Sequence, residues 1–372
     1  MALYKMSIKD LLSLIGKGLT KPVKKDDIMG KEIDIRYLKR IDKIFNKGFH
    51  FYLDPKELDE SKESSIFFRK ITFGIDLNLA SKKIVNQFEE FKLSLSGIAK
   101  LVDLKMERTL PVCSISQNPK VTALQARKEL YPSFKSDQKE FLKALIGKLA
   151  ERNILVFEFV ETWNKREKVN IDGFFLNPNV IVLKRQQVSF RREIFTLAHE
   201  LGHFMLNEEE VETLEYSSLA NGNLSAIERW CNDFAYFFLI GDYDKTMTSI
   251  IKADSSNDYK LEDIELISKK THLSTIALYT RLLFQNKINQ ANYTKIRKDF
   301  EERFRQKQEA EKKQRELEKQ QGKTNGGSPP KPINSPLLIS TIQTAFHVGI
   351  ISELEVCRTL NIKPNKLETY FE

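Results

Sequence analysis

The chain has 372 residues, of which 41% are hydrophobic and 30% charged, with 15 Gly and 11 Pro. This balance excludes a collagen, a low-complexity polymer and a wholly disordered chain, and it allows roughly two or three domains with a sizeable core. The formal charge is +9, while His and Cys are scarce, at 5 and 3 residues.

Residues 1–48 carry 12 Lys/Arg against 6 Asp/Glu, so most of the excess charge sits at one end. A basic end fits nucleic acid or an acidic partner, and equally a solvated helical surface, since no base-reading motif accompanies it. Over residues 5–48, Leu11, Leu14 and Ile15, then Ile35, Leu38, Ile41 and Phe45, recur at helical spacing. Lys21-Pro22 and Met29-Gly30 punctuate these short helices. Residues 65–102 read as two more helices, with Ile84, Phe88 and Phe91 on one stripe, and Pro111 and Pro119 bracket an extended stretch.

The pattern sharpens from residue 136. Residues 139–152 form an amphipathic helix through Phe141, Leu142, Leu145 and Leu149. Strands are expected over residues 154–160, 173–176 and 180–183, the last two joined as a hairpin through Asn177-Pro178-Asn179. A long helix runs from Ser189 to Leu206, another starts near Ser225, and more follow to about residue 321. Residues 301–321 have only Phe304, Ala310 and Leu317 as apolar residues, so they are an exposed helix or disordered. Residues 322–336 read as a linker. Residues 336–372 regain an apolar pattern, with a weak helix-turn-helix over 352–371 that packing explains better.

The expected fold class is α+β: mostly helical, with a small antiparallel sheet packed on the 189–206 helix. The expected divisions are a basic helical region at 1–48 (a degenerate helix-turn-helix), a helical connection at 49–125, a domain of helices and strands at 126–300 (the span of the family resemblance given below), a charged helix and linker at 301–335, and a small helical unit at 336–372.

Cys113, Cys231 and Cys357 are too far apart for a Cys-x-x-Cys site or a disulfide framework, and fit buried thiols in a reducing compartment. Leu11–Ile15 is too short for a secretory h-region. The longest apolar run, near Ala235–Ile240, falls far short of the ~20 residues of a membrane span. The expectation is a soluble cytoplasmic protein without a membrane partner.

Chemistry concentrates at His199-Glu200-Leu201-Gly202-His203. Four residues advance about 400° around a helix, so both imidazoles leave one face, one turn apart. Both nitrogens can then reach one ion at ~2.0–2.1 Å. Glu200 is poorly placed as a third ligand but suited to take a proton from a water that the ion activates. Ser189 is the candidate N-cap. Gly202 inside a helix costs ~1 kcal/mol relative to Ala, which implies a close approach there.

A catalytic zinc site needs a third protein ligand. Glu208, Glu209 and Glu210 follow too closely on the same helix end to fold back. Glu228 opens the next helix and is the better candidate, although Ser225-x-x-Glu228 also reads as a capping box in which Glu228 bonds the Ser225 amide. Asn232 lies one turn further on, where its amide oxygen can accept from the free N–H of a ligating His.

Phe195-Thr196-Leu197-Ala198-His199-Glu200-Leu201-Gly202-His203, followed by Glu228-x-x-Cys231-Asn232-x-Phe234-Ala235, resembles the ImmA/IrrE metallopeptidase family over roughly residues 126–300. Leu273-Ser274-x-x-Ala277-Leu278-x-x-Arg281-Leu282 is similar to a further segment of that family. Ile66-Phe67-Phe68-Arg69 is similar to the segment that follows the helix-turn-helix in members fused to a repressor-like domain. The resemblance implies a zincin-like minimal core, with Zn2+ held by His199, His203 and Glu228, and Glu200 as catalytic base. There are departures: Cys231 stands for the family's usual Ala, Ile240-Gly241 for its common Met-Pro, and Asn232 for the Asp that gluzincin peptidases more generally have.

The activity so implied is an intracellular zinc endopeptidase. Its protein substrate would be a helix-turn-helix repressor or antitoxin-type regulator encoded nearby, in a stress, mobile-element or phage-defence response. Substrate backbone would pair with a strand edge at 173–176 or 180–183. Tyr216, Tyr236 and His272 are undistinguished candidates for stabilising the oxyanion. Two readings from other classes stay open: a zinc-stabilised, antitoxin-like binding regulator with little or no proteolysis, and a DNA-binding transcription regulator resting on the basic end.

Overall fold

The computed structural model describes residues 6–30, 32–45, 49–53, 77–160, 168–185, 189–209, 225–252, 261–320 and 330–371. The chain divides into two compact units, Met1–Leu93 with Glu167–Asn170, and Ser94–Arg166 with Ile171–Glu372.

The first unit holds α1 (Ile8–Gly16), α2 (Asp26–Met29), α3 (Ile35–Phe45) and α4 (Phe49–Leu53). Leu11, Ile15, Val23, Ile41 and Phe45 form its core. Ile35, expected on the apolar stripe, is 60% exposed because it opens α3 beyond the contact with α1. Arg40 donates to the carbonyls of Ile15 (2.8 Å) and Lys17 (3.0 Å), satisfying the orphan acceptors at the end of α1. One helix is described where two were expected, α5 (Leu79–Leu101). Ile66-Phe67-Phe68-Arg69 lies outside the described residues.

The second unit contains a helix that the sequence reading missed, α6 (Pro119–Leu130). Its signal was present: Asn118 caps the Lys120 amide at 2.9 Å, and Pro119 is pre-set for the first helical position. Next come α7 (Gln138–Ala150), capped by Asp137, and the strands β1 (Leu155–Val160), β2 (Gly173–Leu176) and β3 (Val180–Arg185).

The sheet order is β1-β3-β2. β2 and β3 pair antiparallel as the expected hairpin, with Phe174 opposite Val182. β1 pairs with β3 parallel, Leu155 opposite Val180, so the sheet is mixed rather than antiparallel. The hairpin is a local consequence of its turn, whereas β1 has no sequence neighbour to pair with and takes its direction from packing. The central β3 is covered on both faces, which explains its unbroken Val180-Ile181-Val182-Leu183 run.

α8 (Phe190–Leu206) and α9 (Ala226–Ile240) follow, then α10 (Tyr243–Ser249), α11 (Leu261–Thr271), α12 (Thr275–Phe284) and α13 (Gln290–Gln320). α7, α8, α9 and the sheet share one core, with Phe141, Phe175, Leu197, Phe204 and Phe234 fully buried. α13 stays helical to Gln320; Tyr293 and Ile296 anchor its start, while Leu317 is 58% exposed. α14 (Pro336–His347) packs on α7, followed by α15 (Glu353–Leu360), a 3-10 turn (Pro364–Lys366) and α16 (Leu367–Phe371). The second helix of the weak helix-turn-helix pattern is thus that short turn followed by α16. Among the described residues, no helix is long and apolar enough to cross a membrane.

One buried ionic cluster joins several of these elements. Arg185 at the end of β3 pairs with Glu193 in the first turn of α8 and lies 3.8 Å from Glu158 of β1. Glu158 also accepts the Ile333 amide at 2.6 Å, tying the segment before α14 to the sheet. Burial pushes the Glu158 carboxyl from 4.5 up to about 7, against the pull of the Ile333 amide and Arg185. Between those two values the folded chain keeps a proton that the unfolded chain has released, so this group's contribution weakens as pH rises from 4.5 to 7. Glu158→Gln removes that slope. Its stability relative to the natural protein should shift in its favour by on the order of 2–3 kcal/mol between pH 5 and 8. Denaturation curves at the two pH values check this; an unchanged difference refutes it.

Candidate metal centre

α8 presents His199 and His203 on one face, as their spacing dictates. Their Nε2 atoms lie 3.1 Å apart. Ser189 stands at the N-cap but makes no side-chain cap bond; the Arg185–Glu193 pair secures the helix start instead. Asn207, with φ 57°, closes the helix in the left-handed region that Asn tolerates.

α9 brings in Glu228. Its Oε2 is 3.1 Å from His199 Nε2, and its Oε1 is 3.1 Å from His203 Nε2. One ligand atom from each of the three residues lies within 4.8 Å of the others, and all three residues are buried. The capping box is half made. Ser225 Oγ accepts the Glu228 amide at 3.1 Å, but the Glu228 carboxylate turns to the imidazoles.

Gly202 makes this approach possible. A Cβ there would lie 3.1 Å from Cys231 Cα and 3.2 Å from its Sγ, so α8 and α9 cross nearly backbone to backbone. The close approach implied by a mid-helix glycine is therefore made by α9 itself. Outside the crossing, Arg281 of α12 binds Asp233 at 2.7 Å and lies over the rings of Tyr236 and Phe237, fixing α9 from another side. Arg127 donates to the last carbonyls of α9, where Gly241 (φ 52°) leaves room for the guanidinium. Sequence reasoning gave no role to Arg127 or to Asp233.

The far sides of both imidazoles are occupied. His203 Nδ1 lies 3.1 Å from the Glu208 carbonyl, which can only accept, so Nδ1 carries the proton. His199 Nδ1 lies 3.1 Å from Asn232 Oδ1, the same arrangement with an amide oxygen. In the neutral rings both Nε2 atoms then point lone pairs inward, toward a carboxylate whose two oxygens have no hydrogen-bond donor. Such a donor set fits a cation at its centre.

The electrostatics agree. Burial opposes charge on Glu228, yet His199 and His203 beside it hold its carboxyl well below the usual range. Burial opposes charge on His203 too, but the Cys231 thiol and Glu228 carry it well above the ordinary imidazole value. The pocket is a sink for positive charge.

Glu200 lies outside this trio. It is buried, its Oε2 has no hydrogen-bond partner among the described residues, and burial pushes its carboxyl up to about 7 while His203 and His199 pull it down. Other candidates are engaged elsewhere. Glu209 accepts the Asn177 amide at 2.8 Å and pins the β2–β3 turn. Tyr236 lies 3.4 Å from Asp244, and His272 stacks on Phe134 and donates to the Lys135 carbonyl. Glu210 and Tyr216 fall outside the described residues.

Two glycine substitutions separate the helix crossing from helix propensity. Gly202→Ala should cost about 1–3 kcal/mol by overpacking against Cys231, and should weaken metal binding. Gly147→Ala in α7, with nothing within 4 Å of its Cβ, should be neutral or stabilising by up to ~1 kcal/mol. Urea denaturation and metal titration of both variants check the contrast; equal effects would refute the crossing argument.

Residues 150–283 match the family model Peptidase_M78, described as an IrrE N-terminal-like domain. No curated protein and no solved structure matches the chain. The matched segment contains the three strands, α8 and α9, and with them every member of the buried trio. Over these residues the chain is similar to the IrrE N-terminal-like domain that the Peptidase_M78 model describes.

Proposed function

We propose that the protein is an intracellular zinc-dependent endopeptidase that cleaves a specific partner protein. The observation that carries this reading is the convergence of three buried acceptors, His199, His203 and Glu228, next to the equally buried Glu200. The three acceptors would hold Zn2+ through two neutral nitrogens and one carboxylate, which would leave a net positive site. The bound ion supplies Lewis acidity toward a water and a peptide carbonyl. Asn232 and the Glu208 carbonyl keep both imidazoles in the tautomer that turns Nε2 inward. Glu200 takes a proton from the attacking water and passes it to the leaving amine. A carboxyl pushed to about 7 can do both near neutrality.

The substrate lies as an extended strand. Among the described residues β3 is paired on both sides, so of the two strands considered β2 is the one at a sheet edge. The resemblance to ImmA/IrrE proteins supports a helix-turn-helix repressor or antitoxin-type regulator as the partner, with cleavage serving a stress, mobile-element or phage-defence response.

Three variants test the roles. Glu200→Gln should retain one equivalent of zinc and lose cleavage by a factor of roughly 100 or more. His199→Ala should lose both. Asn232→Ala should weaken zinc binding about 10- to 100-fold while keeping the fold. Co-expression with the products of neighbouring genes, scored for cleavage, supplies the substrate. Full proteolysis by Glu200→Gln would sink the proton-transfer role, and a wild-type protein that takes up no zinc would sink the site. A stable, uncut complex with active metal-loaded protein would favour the binding-regulator reading.

A further inference from the structure

We infer that Gly173 is a positioning residue for Glu200: its missing side chain is what lets β2 seat directly on α8 and fixes where the Glu200 carboxylate sits. Gly173 opens β2, opposite Leu183 of β3. A Cβ at this position would lie 2.7 Å from Thr196 Cγ2, 3.1 Å from the Val182 carbonyl oxygen and 3.2 Å from Glu200 Cγ.

These three neighbours are of different kinds. The Val182 carbonyl belongs to the backbone of the central strand, paired on both sides, and cannot retreat. Thr196 and Glu200 stand four apart on α8, hence on one face, and both are buried. Gly173 therefore rests in the notch between two side chains of α8, with rigid sheet behind it. Any added atom must displace Thr196, Glu200 or both. Among the described residues nothing hydrogen-bonds Glu200 Oε2 to hold it against such a push. Its place is set by packing, and Gly173 forms one wall. The three atoms nearest to a Cβ at this position belong to Thr196, Val182 and Glu200, not to the metal-ligating trio.

The catalytic part of this inference rests on Glu200 being the proton-transfer group; the steric part does not. Gly173→Ala alone risks misfolding through the 2.7 Å contact, so the informative variant is Gly173→Ala with Thr196→Ser, which deletes the offending methyl. Against a Thr196→Ser reference, the added Gly173→Ala change should leave zinc stoichiometry intact. It should lower kcat for peptide cleavage roughly 10- to 100-fold, with KM changed by less than about threefold.

A readout independent of catalysis is a double-mutant cycle in thermal stability between positions 173 and 200. In the Thr196→Ser background, Gly173→Ala should lower Tm by roughly 2–4 °C or more. In a Glu200→Ala background, where Cγ is gone, at least half of that loss should disappear. Equal losses in both backgrounds would overturn the inference, as would coupling in stability with kcat unchanged. Coupling in a protein whose wild type cleaves nothing would leave the steric inference standing and remove the peptidase reading instead.

Discussion

The second unit is built around a pocket in which three hydrogen-bond acceptors face one another. Two imidazole Nε2 atoms and a carboxylate lie 3.1 Å apart in a space closed to solvent. Lone pairs directed at lone pairs repel, and a buried carboxylate without donors is costly. The arrangement persists because the surroundings leave no alternative. The Glu208 carbonyl and Asn232 fix both Nδ1 protons on the outer side, so a neutral ring cannot turn a donor inward while keeping those bonds, and only an added proton, as favoured on His203, or a cation relieves the repulsion. The outcome is a strong affinity for positive charge written into geometry.

That geometry depends on how closely two helices approach. Gly202 admits the Cys231 backbone, and the resulting crossing carries Glu228 to within reach of both rings. The crossing is clamped at several independent points. Arg281 holds Asp233, Arg127 caps the end of α9, and Glu209 ties the β2–β3 turn to the segment after α8. Each clamp has a charged group at its centre, and none draws on the trio. A site held this way changes little when one clamp is lost, but moves as a whole when the crossing itself is widened.

How far the sequence reveals this depends on whether a feature is local. His199 and His203 were legible because helical periodicity alone puts them together. The β2–β3 hairpin was legible because its turn residues sit between two apolar runs. Glu228 was ambiguous for a definite reason: Ser225 really does cap the helix, and only the tertiary fold shows that the carboxylate faces the other way. The parallel pairing of β1 left no trace in the sequence, since a strand cannot announce a partner separated from it by a crossover. α6 has a local start signal in Asn118-Pro119, but the pair Pro111 and Pro119 equally suits the brackets of an extended stretch, and only the tertiary packing decides between them. The Glu158–Arg185–Glu193 cluster joins a strand, a strand end and a helix start, and no spacing rule connects them.

Glu200 and Glu228 show what the pocket adds beyond that list of residues. Both carboxylates are buried, and burial pushes both toward the neutral form. They end far apart because their neighbours differ. Glu228 faces two imidazoles head on and stays ionised. Glu200 lies to the side of them, keeps an oxygen without a partner, and is left at about 7. A carboxylate that remains charged is suited to hold a cation, and one poised near neutrality is suited to exchange a proton. The helical step of one residue from His199 to Glu200 is what separates the two environments, so the same spacing that pairs the histidines also divides the work of the carboxylates.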